Sequence, residues 1–242
     1  TPVITTPEGK GAIAEDHPLF GGVGYLGHGA PGWLAPQADV VLAVGTRLTD
    51  QMRGPTALRH PQRLIHIDAD PEVIGKNYPA EIALVADAKV ALKALREAVA
   101  GRQVPERWPQ QQRNEIQAQA QAWLRQVAPM QGEIIADIQQ ALKDDALIVS
   151  GITNIGYWSH FYYQVKHPRT YFTPGYYATI GYAFPFALGA KVAAPEKQVV
   201  SISGDGGFSY ALSELATAVK FGINVVAIVF VDGAYGASIV DQ

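Results

Sequence analysis

Asp205 and Asp232 are the residues of this chain best suited to hold a metal ion. Gly204-Asp205-Gly206-Gly207 follows the apolar run Val199 to Ser203, and Val231-Asp232-Gly233-Ala234-Tyr235-Gly236 follows another, Val225 to Phe230. Between them Phe208, Leu212, Leu215, Ala216 and Val219 recur at three- and four-residue intervals, predicting one helix with a face on a sheet, closed by Gly222. Strand, turn, helix, strand, turn is a βαβ unit whose two turns lie at the carboxyl ends of parallel strands. The free N–H groups of Gly206, Gly207 and the first helical turn suit phosphate oxygens, and the aspartates suit a divalent cation that bridges them to the phosphate. Gly-Asp-Gly is also an ordinary turn, so this motif alone does not decide between a site and a bend.

The rest of the chain supplies the elements that would position such a site. Ala146 to Ser150 reads as a strand ending in Gly151-Ile152-Thr153-Asn154, preceded by a helix through Ile134, Ile135, Ile138 and Leu142. Tyr171 to Thr173 reads as a short strand, followed by a loop into a small-residue helix around Ala187 to Ala190. The aromatic stretch Trp158 to Tyr163 fits a packed helix face as well as a substrate wall.

Upstream, Val40 to Val44, Leu64 to Ile67 and Ile82 to Val85 predict buried strands. Helices are predicted over Pro71 to Lys76, with Asp70 as cap, and over Asp87 to Ala100. Residues 101 to 129, rich in Gln, Arg and Ala and marked by prolines, read as a polar helical linker. The fold class is therefore α/β, with two parallel-sheet domains. Residues 1–102 are expected to form a Rossmann-like first domain, 103–129 a linker and 130–242 a second domain cut short at its carboxyl end. The glycine-dense segment Gly21 to Gly29 suits close approach of backbone to a nucleotide, but no strand runs into it, and on sequence alone a connection over the sheet is the favoured reading. His17, His28, His60 and His66 share no metal-ligand spacing, and His66, inside an apolar strand, reads as a hydrogen-bonded core residue.

Composition excludes several classes. The chain has 242 residues and a net charge of −3, without a basic cluster to attract nucleic acid or an anionic membrane. With no cysteine there is no disulfide, thiolate catalysis or Cys-ligated metal. No apolar run reaches membrane-spanning length and no signal peptide is evident, so the expected compartment is the cytoplasm. Thr1 enters a strand-like segment directly and Gln242 follows closely on a functional turn, so the expectation is a piece of a longer chain.

GDG followed at this distance by Asp232-Gly233-Ala234-Tyr235-Gly236, with Glu214-Leu215-Ala216-Thr217 between, resembles the diphosphate-and-magnesium motif of thiamine-diphosphate enzymes, in particular the acetolactate synthase branch. The first domain resembles the central domain of the same family through Gly9-Lys10-Gly11, Glu15 to Leu19, the glycine run and Ala43 to Arg47. The resemblance implies thiamine diphosphate bound through Mg2+, with Asp205, Asp232 and the carbonyl of Ala234 as metal ligands. It places Asn154, Gly204, Gly206, Gly207, Tyr235 and Gly236 at the cofactor. It also assigns the carbonyl of Ala178 to the 4′-amino group and the bulk of Ile180 to the wedge that bends the cofactor. Val231 and Ile155 depart from the family, which has polar residues at both positions. Some members hold FAD, ADP or a CoA ester in the central domain; Leu48-Thr49-Asp50 follow Arg47 where the FAD type has acidic residues, and FAD is left open.

The implied activity is decarboxylation of a 2-keto acid such as pyruvate and transfer of the fragment to an acceptor. The alternatives are a 2-keto acid decarboxylase, a glyoxylate carboligase, a lyase, or a non-catalytic cofactor-binding homologue. The family's activating glutamate comes from a separate domain of a partner subunit. Glu214, inside the diphosphate helix, cannot replace it, so the chain alone is expected to be inactive and the working unit a homodimer or homotetramer.

Overall fold

The structure, a computed structural model, describes residues 1–25, 28–29, 31–49, 63–102 and 108–234. The strand pairings among them are parallel in all three sheets. β1 (Val3–Thr5) pairs with β2 (Phe20–Val23), which is followed by the short helix α1 (Pro31–Leu34). β3 (Val41–Val44), β4 (Leu64–Asp68) and β5 (Ile82–Val85) form a second sheet in that order, followed by helix α2 (Ala88–Val99). Asp87 caps α2 as its residue type dictates, accepting from the Val90 amide at 3.0 Å. Helices α3 (Gln110–Val127) and α4 (Pro129–Gln140) lead into the third sheet. The chain then runs β6 (Leu147–Ser150), α5 (Asn154–Tyr162), β7 (Tyr171–Phe172), α6 (Ala183–Ala193), β8 (Val199–Gly204), α7 (Asp205–Ser209), α8 (Glu214–Phe221) and β9 (Val226–Phe230).

The third sheet has the order β7-β6-β8-β9. Its two central strands, β6 and β8, are buried along their apolar runs, as parallel strands covered on both faces require, whereas the edge strand β9 leaves Val226 exposed. Ile148, Val200 and Ile202 pack with Ile135, Ile155 and Val165 on the side of α4 and α5, while Leu147, Val149 and Val199 pack with Ala183 and Ala187 of α6. From β6 the chain passes through α5 to β7 on one side, then returns through α6 to β8 on the other. The segments after β6 and β8 therefore diverge to opposite faces, which makes the carboxyl ends of these two strands the topological switch point of the sheet, where open α/β sheets bind ligands. No helix of the described residues is long and apolar enough to cross a membrane.

Three local expectations are corrected. Residues 71–76 form turns with i to i+3 bonds, Val73 to Asp70 and Lys76 to Val73. Gly75 at φ +75° closes the segment before a helical turn can propagate. The glycine run is not a bare connection, because β2 passes through Gly21 and Gly22. A Cβ on Gly21 would stand 2.7 Å from Leu34 Cδ1, so packing accounts for that glycine. The single helix expected over 208–219 is interrupted at 210–213, where the bonds are again i to i+3. Ser209 Oγ donates to the Asp205 carbonyl at 2.8 Å, a back-bond that bends helices, and the break turns Ala211 into the core beside Phe184 and Leu188. In the segment read as a linker, α3 buries Ile116 and Leu124, and Ile116 packs with Leu34, Ile4 and Trp33.

Candidate functional site

Three strand ends, those of β6, β8 and β9, meet at the switch point. Gly204 of β8 is paired with Phe230 of β9, so Asp205 lies one residue, and Asp232 two residues, beyond partners on neighbouring strands about 4.8 Å apart. Both aspartates are exposed. Asp205 Oδ1 accepts from the Gly206 amide at 2.8 Å and Asp232 Oδ1 from the Ala234 amide at 3.1 Å, local bonds that fix each carboxylate at its turn. On the other side of β8, Gly151 donates to the Ile202 carbonyl at 2.8 Å and ties the end of β6 to the same edge. A Cβ on Gly204 would stand 2.9 Å from Thr153 Oγ1, so the glycine lets the β6 and β8 turns touch.

The loop after β7 closes on this edge. A Cβ on Gly207 would meet Ile180 Cγ2 and the Gly181 amide, each at 3.8 Å, which puts Ile180 against the Gly204–Gly207 turn. Gly181, at φ +86°, lies under Tyr210, a residue 78 % exposed. Ala178 takes a left-handed conformation at φ +46°, unusual for a residue with a Cβ, and such strain gathers at ligand sites. The turn is exposed, with Tyr177 88 % exposed.

Asn154 is the first residue of α5, and its Oδ1 accepts from Gln131 Nε2 at 3.2 Å. Thr153 makes no side-chain cap to the first amides of α5. Ile155 is a core residue packed with Ile135, Ile148 and Ile202, and its apolar character is explained by that place. Val231 is exposed. The structure thus brings Asn154, Ile180, Gly204, Asp205, Gly206, Gly207, Asp232 and Ala234 to one edge, with Ala178 in the adjoining loop. Tyr235 and Gly236 lie outside the described residues, as do Asp50 and His60.

Exposed hard-oxygen donors on two adjacent turns match a small divalent cation, and Gly206, whose Cβ would meet nothing within 4 Å, leaves the backbone open to an anion. A metal and a diphosphate therefore fit the residues present. Sequence reasoning missed Thr153, Gln131 and Gly181. The spacing Gly151 to Gly156 signals a tight strand-to-helix turn, whereas the Gln131–Asn154 contact joins separate elements and leaves no local trace.

The other sequence candidates fall elsewhere. His66 is buried, with Nε2 2.9 Å from the Thr46 carbonyl and Nδ1 accepting from Gly75 at 3.4 Å, as a core histidine should be. His17 Nδ1 accepts from the Leu19 amide, and His28 stacks on Trp123 with centroids 5.5 Å apart. Trp158 and Phe161 join the same aromatic cluster, and the packed-face reading of that helix holds.

Two family models match the chain. The thiamine pyrophosphate enzyme central domain matches residues 1–95, and the thiamine pyrophosphate enzyme C-terminal TPP binding domain matches residues 151–240. Among curated proteins, the chain is 34 % identical to a probable acetolactate synthase large subunit of Methanocaldococcus jannaschii, over 95 % of this chain and 41 % of that one. It is 35 % identical to a probable 2-ketoarginine decarboxylase of Pseudomonas aeruginosa, over 90 % of this chain and 39 % of that one. It is 29 % identical to a sulfoacetaldehyde acetyltransferase of Castellaniella defragrans, over 98 % of this chain and 44 % of that one. The chain spans about two-fifths of the length of these relatives.

Proposed function

The chain belongs to the thiamine pyrophosphate enzymes, and from that premise we propose that its protein is an acetolactate synthase-like transferase that uses thiamine diphosphate and Mg2+ to decarboxylate a 2-keto acid such as pyruvate and pass the fragment to an acceptor. The supporting observation is the pair of exposed carboxylates, Asp205 and Asp232, on adjacent parallel strand ends beside the switch point. Asp205, Asp232 and the Ala234 carbonyl would hold the ion. Gly204, Gly206, Gly207 and Asn154 would receive the diphosphate, with Tyr235 and Gly236 following on the chain. Bound there, the cofactor supplies a carbon nucleophile and an electron sink.

This chain's residues bind and orient. Ile180, set against the Gly204–Gly207 turn, would present bulk to the cofactor's ring, and Ala178, in its left-handed turn, would offer its main-chain carbonyl to the 4′-amino group. Glu214 starts α8 beyond the bend at 210–213 and has no place at that ring. The activating glutamate is assigned to a separate domain of a partner subunit, which makes a homodimer or homotetramer the working unit and leaves this chain inactive alone. The acceptor is set by residues beyond those named, since relatives of similar identity to this chain carry different activities in their names.

Calorimetric titration of thiamine diphosphate into the full-length protein, with Mg2+ and then with EDTA, tests the site. Binding should depend on the metal and weaken at least about tenfold in Asp205→Ala, about 1.4 kcal/mol. Binding indifferent to both would refute it. The exposed Val231 favours a second reading, a homologue that binds the cofactor without turnover; metal-dependent binding with no CO2 released from any 2-keto acid offered would select that reading.

A further inference from the structure

The Lys10 side chain has no solvent exposure. Its ammonium stands 2.8 and 2.9 Å from the two carboxylate oxygens of Glu15, donates to the carbonyls of His160 at 3.0 Å and Tyr163 at 2.9 Å, and lies 5.3 Å from the centre of the Tyr171 ring. Burial pulls this ammonium below its ordinary pKa, and Glu15 pulls it back. Both carbonyls belong to the carboxyl end of α5, where helical amides run out and the dipole is negative, so Lys10 caps the helix with a matching charge. Glu15 grips the same region. Its Oε2 accepts from the Val165 amide at 3.1 Å, and its own amide donates to the Val165 carbonyl at 2.9 Å.

The opposite end of α5 is Asn154, at the switch point. Nine helical residues separate the two ends, about 13 Å of stiff rod. Hydroxyls brace it along its length. Ser159 Oγ donates to the Gly156 carbonyl at 2.6 Å, and Ser150, the last residue of β6, donates to the same carbonyl at 3.2 Å. Ser159 Oγ also lies 2.6 Å from the Tyr171 hydroxyl, which is 2.8 Å from His160 Nδ1.

We propose that Lys10 is a positioning residue for the turn between β6 and α5. With Glu15 it clamps the carboxyl end of α5, and through that helix it fixes residues 151–156, so that the first twenty residues govern a diphosphate turn they do not touch. The link to diphosphate rests on the cofactor reading above; the clamp does not. A pair this enclosed is poorly explained by stability alone, because apolar side chains of similar volume usually fill such a space as well. Apolar groups cannot donate to the His160 and Tyr163 carbonyls, and that directional hold is what the pair adds.

The test compares the full-length protein with its Lys10→Met/Glu15→Leu variant, which removes both charges and keeps most of the volume. The variant should melt close to the parent, while the amides of 152–157 exchange with deuterium about tenfold faster and those at the centre of β8 do not change. Thiamine diphosphate with Mg2+ should bind the variant more weakly, by a factor of similar size. Unchanged exchange at 152–157 in a folded variant overturns the clamp, and faster exchange with unchanged cofactor affinity overturns its link to the site. A parent that binds no cofactor defeats the functional reading and leaves the exchange result to decide the clamp. If the double variant does not fold, Glu15→Gln, which keeps the shape and the Val165 bond, carries the same measurement: a smaller regional speeding is expected, and none overturns the clamp.

Discussion

His160 is nearly enclosed, with its ring 4.7 Å from that of Tyr25, its Nδ1 facing the Tyr171 hydroxyl and the Lys10 ammonium nearby. Burial first, and the charge of Lys10 second, lower its pKa from 6.5 to about 3. Because the folded value lies below the unfolded one, the unfolded chain takes up the proton first as pH falls. The stability from neutral His160 is therefore complete above pH 6.5 and is lost progressively down to about pH 3, on the order of 3–5 kcal/mol. In His160→Asn, whose side-chain oxygen can accept the Tyr171 proton, this loss should be missing. Urea unfolding of parent and variant at about pH 7.5 and about pH 5 checks it: the gap between them should narrow at the lower pH, and parallel curves would sink the assignment. The residue scale also shows where sequence falls short. Ile155 reads as a donor lost from the site because the family has a polar residue there, yet it packs in the core; sequence position does not say which way a first-turn side chain points.

At the scale of elements, Gly156 and Gly189 make a paired prediction, since both lie inside helices, α5 and α6. A Cβ on Gly156 would stand well inside contact distance of the Gly151 carbonyl and 3.0 Å from Ser150 Oγ, whereas one on Gly189 would meet nothing within 4 Å. Helix propensity favours alanine at each by about 1 kcal/mol. At Gly189 nothing opposes this gain, and Gly189→Ala should raise the urea midpoint. At Gly156 the neighbour is backbone and cannot rotate away, so Gly156→Ala should lower stability by about 1–3 kcal/mol as overpacking does, and displace the Asn154 turn. If both variants moved the midpoint in the same direction, α5 would not be seated on β6 as described. The strands and helices of the second half were legible because continuous apolar runs and three- to four-residue spacings survive burial. The strand through Gly21 and Gly22 was not, because its pairing is carried by backbone; nor was the break at 210–213, set by one serine hydroxyl and the contact of Ala211 with α6.

For the molecule as a whole, the sheets differ in how deeply they are packed. β6 and β8 hold Ile148, Val149 and Ile202 at essentially no exposure, whereas β5 leaves Ile82, Leu84 and Val85 exposed and α2 buries no side chain among the described residues. The first twenty residues side with the deeper half through Glu15 and Val165, Lys10 and α5, and Gln117 of α3 donating to the Phe20 carbonyl at 2.6 Å. Local opening free energies follow buried contacts. Native-state hydrogen exchange on this chain should therefore resolve two groups. Amides of β6, β8 and the carboxyl half of α5 should open only with global unfolding, and those of Lys10 to Val23 should move with them. Amides of β5 and α2 should exchange at least about a hundredfold faster, through an opening that exposes little further surface and so responds weakly to urea. A single opening free energy for α2 and β6 would mean that the halves unfold as one body. If residues 10–23 exchanged with α2, the clamp would belong to the central sheet, and the boundary expected near residue 102 would describe the stability units better than the contacts of Lys10 and Glu15 do.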